Sequence, residues 1–274
     1  MATAAPATPA TPTPSNPSPY KTVSCTGGHC VGVTPEGRAF AWAVQSYGNR
    51  FGQLCRGFVS KAGAVDDAAR AALQTPTEIA VRTDTGSAVT IANAWAGGRP
   101  DSGHTALLDT TGNLWMCGCD RWTQLGRGGT TGWTDGAAWN PTPEHVAMPG
   151  NAAVHEVALG ADHTVALLEN GGVVAFGRGH KGQVTGGTRG PHTVPVVFQW
   201  ALSKTQPTSV RAQDDCTCIY ADPKKPRAQA AGRRGLLGGG RTRAFGDTTK
   251  RCFGSCPSTL VDAMFASMEQ VLHS

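Results

Sequence analysis

The sequence predicts an all-β chain assembled from stacked hairpins. Three observations lead there. The chain holds 36 Gly and 18 Pro in 274 residues, and charged residues make up only 16%. That composition excludes a coiled coil, a long-helix protein and a polyelectrolyte. The apolar runs, such as Thr164 to Leu168 and Val194 to Phe198, are too short to span a bilayer as helices and suit strands bounded by turns. Finally, one pattern recurs three times in phase, which must be read before any single motif.

Residues 1–22 come first. They are mostly Ala, Thr, Pro and Ser, with no apolar core after Met1 and no basic residue before Lys21. Such a segment cannot bury enough surface to fold and reads as a disordered leader, neither a secretory signal nor a mitochondrial presequence. A plastid-type leader remains open.

The repeats occupy 23–220. Segments starting at Val23, Gly97 and Val157 align on His29, His104 and His163. Eight residues after each His stands a Gly: Gly37, Gly112 and Gly171. Thirteen residues after it stands a bulky or sulfur side chain: Trp42, Cys117 and Phe176. A closing Gln follows: Gln53 after Gly52, Gln124 before Leu125-Gly126, and Gln183 after Gly182. Each unit reads as a β-hairpin. In the third, Thr164 to Leu168 turns through Glu169-Asn170-Gly171-Gly172 into Val173 to Phe176, and the turn Gly supplies the positive φ of a tight reversal. One hairpin is marginal alone, so the units must stack.

These residues resemble the regulator of chromosome condensation repeat family. Its pattern is Gly-Gly-x-His-Thr, then Asp/Glu-x-Gly and a Trp-Gly, then Gly-Gln-Leu-Gly. Gly27-Gly28-His29, Gly103-His104-Thr105 and Asp162-His163-Thr164 match the first part. Trp42, Cys117-Gly118 and Phe176-Gly177 match the second. The resemblance implies a β-propeller, usually seven-bladed, of which three units make a partial ring. A fourth unit starts at Val210 to Thr217, with Cys216 in the His position, and stops at Tyr220. The expected consequence is an unpaired strand edge near Val210 to Tyr220, needing a partner or the chain's own Leu260 to Leu272 to cover it.

Inserts depart from the pattern. The run from Asp66 to Leu73 has high helix propensity. A Trp-rich loop, Arg121 to Pro141, carries Trp122, Trp133 and Trp139. It is a candidate partner surface or a cluster folded back on its blade. Residues 221–257 read as a basic linker. Nine basic residues and one acid lie between Pro223 and Arg251, so this stretch is strongly basic, and the rest of the chain is slightly acidic although the whole carries +5. Residues 223–251 are expected to be irregular. Lys224, Lys225, Arg227, Arg233 and Arg234 suit a nuclear-import or nucleic-acid tail, or a solvated linker. Residues 258–274 carry apolar side chains at helical spacing.

Little catalytic chemistry is encoded. The three phased His fall at one place in three different units, so they ring the fold as structural polar groups. Gly235 to Arg241 lacks a phosphate-loop ending, and no nucleophile elbow is present. Nine Cys with no secretory signal read as reduced thiols. Cys216-x-Cys218 with Cys252-x3-Cys256 is a tight, poorly spaced four-Cys set, for which unpaired thiols are the first reading and zinc the second. No metal or cofactor is therefore assigned. The expected function is a non-enzymatic intracellular protein-binding or scaffold module using propeller loops, cytoplasmic, nuclear or organellar and without membrane attachment. The alternatives are an exchange factor for a small GTPase, as the resemblance implies, and a chromatin or nucleic-acid binder through the basic stretch.

Overall fold

The computed structural model describes residues 19–45, 48–60, 66–100, 102–129, 138–185, 189–198, 205–226, 243–244 and 250–264. These form four separate four-stranded antiparallel sheets, each a blade of an open propeller. Blade 1 contains β1 (Thr22–Cys25), β2 (His29–Val33), β3 (Ala39–Ala43) and, beyond the helix α1 (Asp67–Gln74), β4 (Thr77–Glu78). Blade 2 contains β5 (Ile91–Arg99), β6 (Ser102–Asp109), β7 (Leu114–Cys119) and β8 (Trp139–Val146). Blade 3 contains β9 (Val154–Leu159), β10 (His163–Leu168), β11 (Val173–Arg178) and β12 (Pro191–Val197). Each of these sheets runs in chain order. Pro141, Pro143, Pro191 and Pro195 all lie on the edge strands β8 and β12, where a missing N–H breaks no ladder.

The central hairpins share one construction. In each, a three-residue loop ends in Gly37, Gly112 or Gly171, with φ of 81°, 86° and 75°. The Gly N–H donates to the carbonyl three residues back, Thr34, Asp109 or Leu168. This is a type I turn with a left-handed third residue, which only Gly occupies without strain. The insert within blade 1, between β3 and β4, is the expected helix. Its Asp66 side chain caps it, accepting from the Ala69 N–H at 2.7 Å.

Blade 4 corrects the sequence reading. Its strands are β13 (Thr205–Gln213), β14 (Cys216–Pro226), β15 (Arg243–Ala244) and β16 (Lys250–Gly254), in the order β13-β14-β16-β15. The fourth repeat does not stop at Tyr220, and 223–251 is not irregular throughout. Cys216 pairs with Gly254, Thr217 with Phe253 and Cys218 with Cys252. In blade 3, His163 pairs with Gly177, Thr164 with Phe176 and Val165 with Ala175. Phe253-Gly254 is therefore the displaced Phe-Gly of the repeat, carried past a long intervening segment. Of the edge expected to be bare at Val210 to Tyr220, Cys216 to Tyr220 on β14 is paired on both sides, by β13 and by β16, while Val210 to Gln213 lies on β13, the outer strand of the sheet, and pairs with β14 alone among the described residues.

The core is a series of layers between blades. Alternate residues of a strand face opposite neighbours. Val31, Ala41 and Leu54 of blade 1 pack on Leu107, Trp115 and Cys117 of blade 2. Ala106 and Met116 face the other way, onto Ala166, Val174 and Phe176 of blade 3. Val165, Leu167 and Ala175 then face Val210, Ile219 and Phe253 of blade 4. No helix among the described residues is long and apolar enough to cross a membrane.

Candidate functional site

The phased polar residues meet at the seams between blades. A Thr immediately following the His position of one blade reaches back to the preceding blade. Thr105 Oγ1 donates to the Gln53 carbonyl at 2.7 Å, Thr164 Oγ1 to that of Gln124 at 2.8 Å, and Thr217 Oγ1 to that of Gln183 at 2.8 Å. Each Gln folds its own loop. Gln53 Oε1 accepts from Phe51 N–H, Gln124 Oε1 from Trp122 N–H and Gln183 Oε1 from Lys181 N–H, all at 2.9 Å. Asn49 and Asp120 complete the first two loops by accepting from the N–H of Leu54 and Leu125.

The His side chains join the same seams. His29 Nε2 lies 2.8 Å from Thr105 Oγ1, and His163 Nε2 lies 2.8 Å from Thr217 Oγ1. Each Thr proton already goes to a Gln carbonyl, so the hydroxyl can only accept. That fixes the proton of His29 and His163 on Nε2. Neither ring nitrogen of His104 bonds a Thr of the next blade; the backbone of His163 is its polar neighbour and offsets part of the fall in its pKa. All three rings are fully buried. Burial lowers the pKa of His29 and His163 to about 3 and that of His104 to about 4, with a smaller push on the first two from His104. These are neutral structural groups at physiological pH. Gly28 lies against the backbone of Pro100, and Gly52, at φ 76°, lies against Pro141, so both sit where blade 2 comes close.

Buried carboxylates flank the seams. Burial raises the pKa of Asp120 and of Asp162. Asp120 holds Arg127 at 2.7 Å, and Asp162 faces Arg178 at 3.4 Å and Arg99 at 3.9 Å. The sequence reading missed both. It also missed the seam role of Thr105, Thr164 and Thr217, whose signal was the shared place after the His column.

The Trp-rich loop is divided. Trp133 lies outside the described residues. Trp122 is half-buried beneath the Arg178 guanidinium, 4.7 Å from the ring centre, with His180 at its edge. Trp139 is half-buried against Phe51 of blade 1. Both rings bridge neighbouring blades. Lys224 and Lys225 lie within β14, while Arg227, Arg233 and Arg234 lie outside the described residues.

Two outer faces, one on blade 1 and one on blade 4, have no blade against them among the described residues. In blades 2 to 4 the face carrying Thr105, Thr164 or Thr217 packs on the preceding blade. In blade 1 the equivalent face carries Cys30, Phe40 and Trp42. Phe40 and Trp42 are half-buried, and the ring beside them is Tyr20, centred 5.8 Å from Phe40 and 5.5 Å from Trp42.

The cysteines also differ from the reduced, unpaired state. Eight of the nine stand with their sulfurs in bonding contact as Cys25–Cys30, Cys55–Cys117, Cys216–Cys256 and Cys218–Cys252, and Cys119 is free and buried. Strand register explains the first and last pairs, whose members sit directly opposite each other. Cys117 fills the aromatic slot of blade 2 and meets Cys55 from the closing loop of blade 1, a second tie across that seam.

Comparison with known proteins places this geometry. Models of the regulator of chromosome condensation (RCC1) repeat match residues 111–167 and 154–183. The mitochondrial RCC1 domain-containing protein RUG3 of Arabidopsis thaliana is 27% identical over 182 residues, covering 66% of this chain and 36% of that protein. The ultraviolet-B receptor UVR8 of Arabidopsis thaliana is 27% identical over 176 residues, covering 64% and 33%. The crystal structure of Prp20p from Saccharomyces cerevisiae, described with its binding to Gsp1p and histones, superposes with a TM-score of 0.57 at 16% identity, covering 92% of this chain and 48% of that one. The chain thus spans about a third to a half of the length of these proteins.

Proposed function

We propose that this chain, in which residues 111–167 and 154–183 match the regulator of chromosome condensation repeat, is a protein-binding module and that its partner docks on the open face of blade 1. The observation that carries this is the half-buried Phe40 and Trp42 on a face that is a packed seam in every later blade. Aromatic side chains on a rigid sheet give large contact area at low entropic cost. The phased polar groups support a binding role over catalysis, because His29, His163 and the three Thr are committed to holding blades together.

A photo-reactive phenylalanine analogue at position 40, in the full chain expressed in its native cells, tests the reading. Position 197 on β12, where Val197 is 60% exposed, is the control. Protein adducts from position 40 and not from position 197 are expected. No adduct from position 40, or equal adducts from both, overturns it.

A second reading, exchange on a small GTPase, is favoured by the superposition on Prp20p, whose description names Gsp1p. It predicts faster release of a fluorescent guanine nucleotide from such a GTPase when the chain is added, and an unchanged release rate removes it.

A further inference from the structure

We propose that Cys216, Cys218, Cys252 and Cys256 form a tetrathiolate zinc site that caps the last blade. The four sulfurs all lie within 4.8 Å of one another, and no other group of metal-ligating side chains among the described residues converges in this way with four thiols. The other two cysteine pairs stand singly. Zinc takes thiolates at about 2.3 Å in a tetrahedron, whose edge is then about 3.8 Å. Cys216 Sγ and Cys218 Sγ are 3.8 Å apart.

The strand geometry explains the convergence. Cys216 and Cys218 are two apart on β14 and share a face. Cys252 lies opposite Cys218, and the chain turns after Gly254, at φ 92°, to bring Cys256 back over Cys216. Cys216, Cys218 and Cys252 are buried, while Cys256 is half-buried and offers the ion a way in. Soft thiolates select zinc over the hard divalent cations.

The place in the repeat gives the site its role. Cys216, Cys218 and Cys252 occupy the positions of His163, Val165 and Ala175 in blade 3. In blade 3 that face packs on blade 4, with His163 reaching Thr217. In blade 4 the same face meets Val261 and Met264 of the helical segment 258–264. The cluster therefore stands where a seam to a further blade would be. It also joins β14 to β16 across a sequence separation of 34, where the other blades use a three-residue turn. Closing so long a loop costs entropy that the short turns do not. Binding is simple ion exchange, each thiol losing its proton as its sulfur takes the metal.

The same four sulfurs can instead close as two disulfides, so the test separates the two states. The full chain, expressed in a reducing cytosol and purified without chelator, is assayed for zinc by elemental analysis and for cysteine state by alkylation and peptide mapping. One zinc per chain is expected, lost in Cys216→Ser and Cys252→Ser and kept in Cys25→Ser. Exchange of the unmutated chain with cobalt(II) should give the visible bands of a tetrahedral tetrathiolate, a readout that stands if the Ser variants fail to fold. Absence of zinc with Cys216–Cys256 or Cys218–Cys252 linked peptides overturns the proposal. Absence of both zinc and the cobalt spectrum with four free thiols overturns it equally.

Discussion

Acid should open this protein through its seams. His29, His104 and His163 titrate at about 3, 4 and 3 when folded, against about 6.5 in an unfolded chain. The folded values are depressed, so the unfolded chain binds more protons between the two. The stability is fully present above pH 6.5 and falls as pH falls toward 3 to 4. Linkage gives a loss of about 2 kcal/mol per His between neutral pH and pH 5, and an upper bound of about 6 kcal/mol for all three. That rivals the whole stability of many domains, roughly 5–15 kcal/mol. Asp120 and Asp162 act oppositely, because burial raises their pKa and acid relieves the cost of their buried charge. Urea unfolding followed by tryptophan fluorescence at pH 7.5, 6 and 5 reads the sum. Repeating it with His104→Gln removes one proton from the slope. A His104→Gln variant whose stability falls as steeply between pH 7.5 and 5 as that of the unmutated chain, within about 1 kcal/mol, refutes the assignment of a buried neutral ring there.

Other consequences follow from single contacts. Thr164→Val removes the donor to the Gln124 carbonyl while keeping shape, and should cost about 1–3 kcal/mol in the same unfolding assay. Gly112→Ala forces a side chain into a residue with φ of 86°, its Cβ 2.6 Å from that of Ala153 in the linker to blade 3, and should cost more than about 1 kcal/mol. The Cys55→Ala/Cys117→Ala double variant opens a covalent loop with a sequence separation of 62. Under oxidising conditions it should lose about 2–4 kcal/mol against the unmutated chain, and adding reductant should abolish that difference.

Much of the fold was legible because the repeat is a local pattern. The His column, the turn Gly and the closing Gln fall at fixed offsets, and each offset corresponds to a register position in the hairpin, as His163 opposite Gly177 illustrates. The fourth blade was not legible because its second half is displaced. The offset from Cys216 to Phe253 is set by the length of the intervening segment, which no periodic search follows. The echo was still there: Asp215-Cys216-Thr217 repeats Asp162-His163-Thr164, and Phe253-Gly254 repeats Phe176-Gly177. The thiol pairing was missed for a related reason. Cys218 and Cys252 are neighbours only across a sheet, and register is a long-range property. The seams were half visible. The His were read as structural, but their partners lie in the next blade, 76 residues on for His29 and 54 for His163.

The seam rule also accounts for where the repeat is broken. Each seam places a His of one blade beside a Thr of the next, and the two are bonded in the first and third seams, at His29–Thr105 and His163–Thr217. Blade 1 supplies His29 but has Cys30 where blades 2 to 4 have Thr105, Thr164 and Thr217. Blade 4 supplies Thr217 but has Cys216 where the others have His. The missing Thr and the missing His are the two halves of one further clasp, absent from the two faces that do not form a seam among the described blades. The two ends then diverge: Cys216 and its neighbouring thiols face the segment 258–264, whereas Cys30 lies on the strand beside Trp42, with Tyr20 across the sheet.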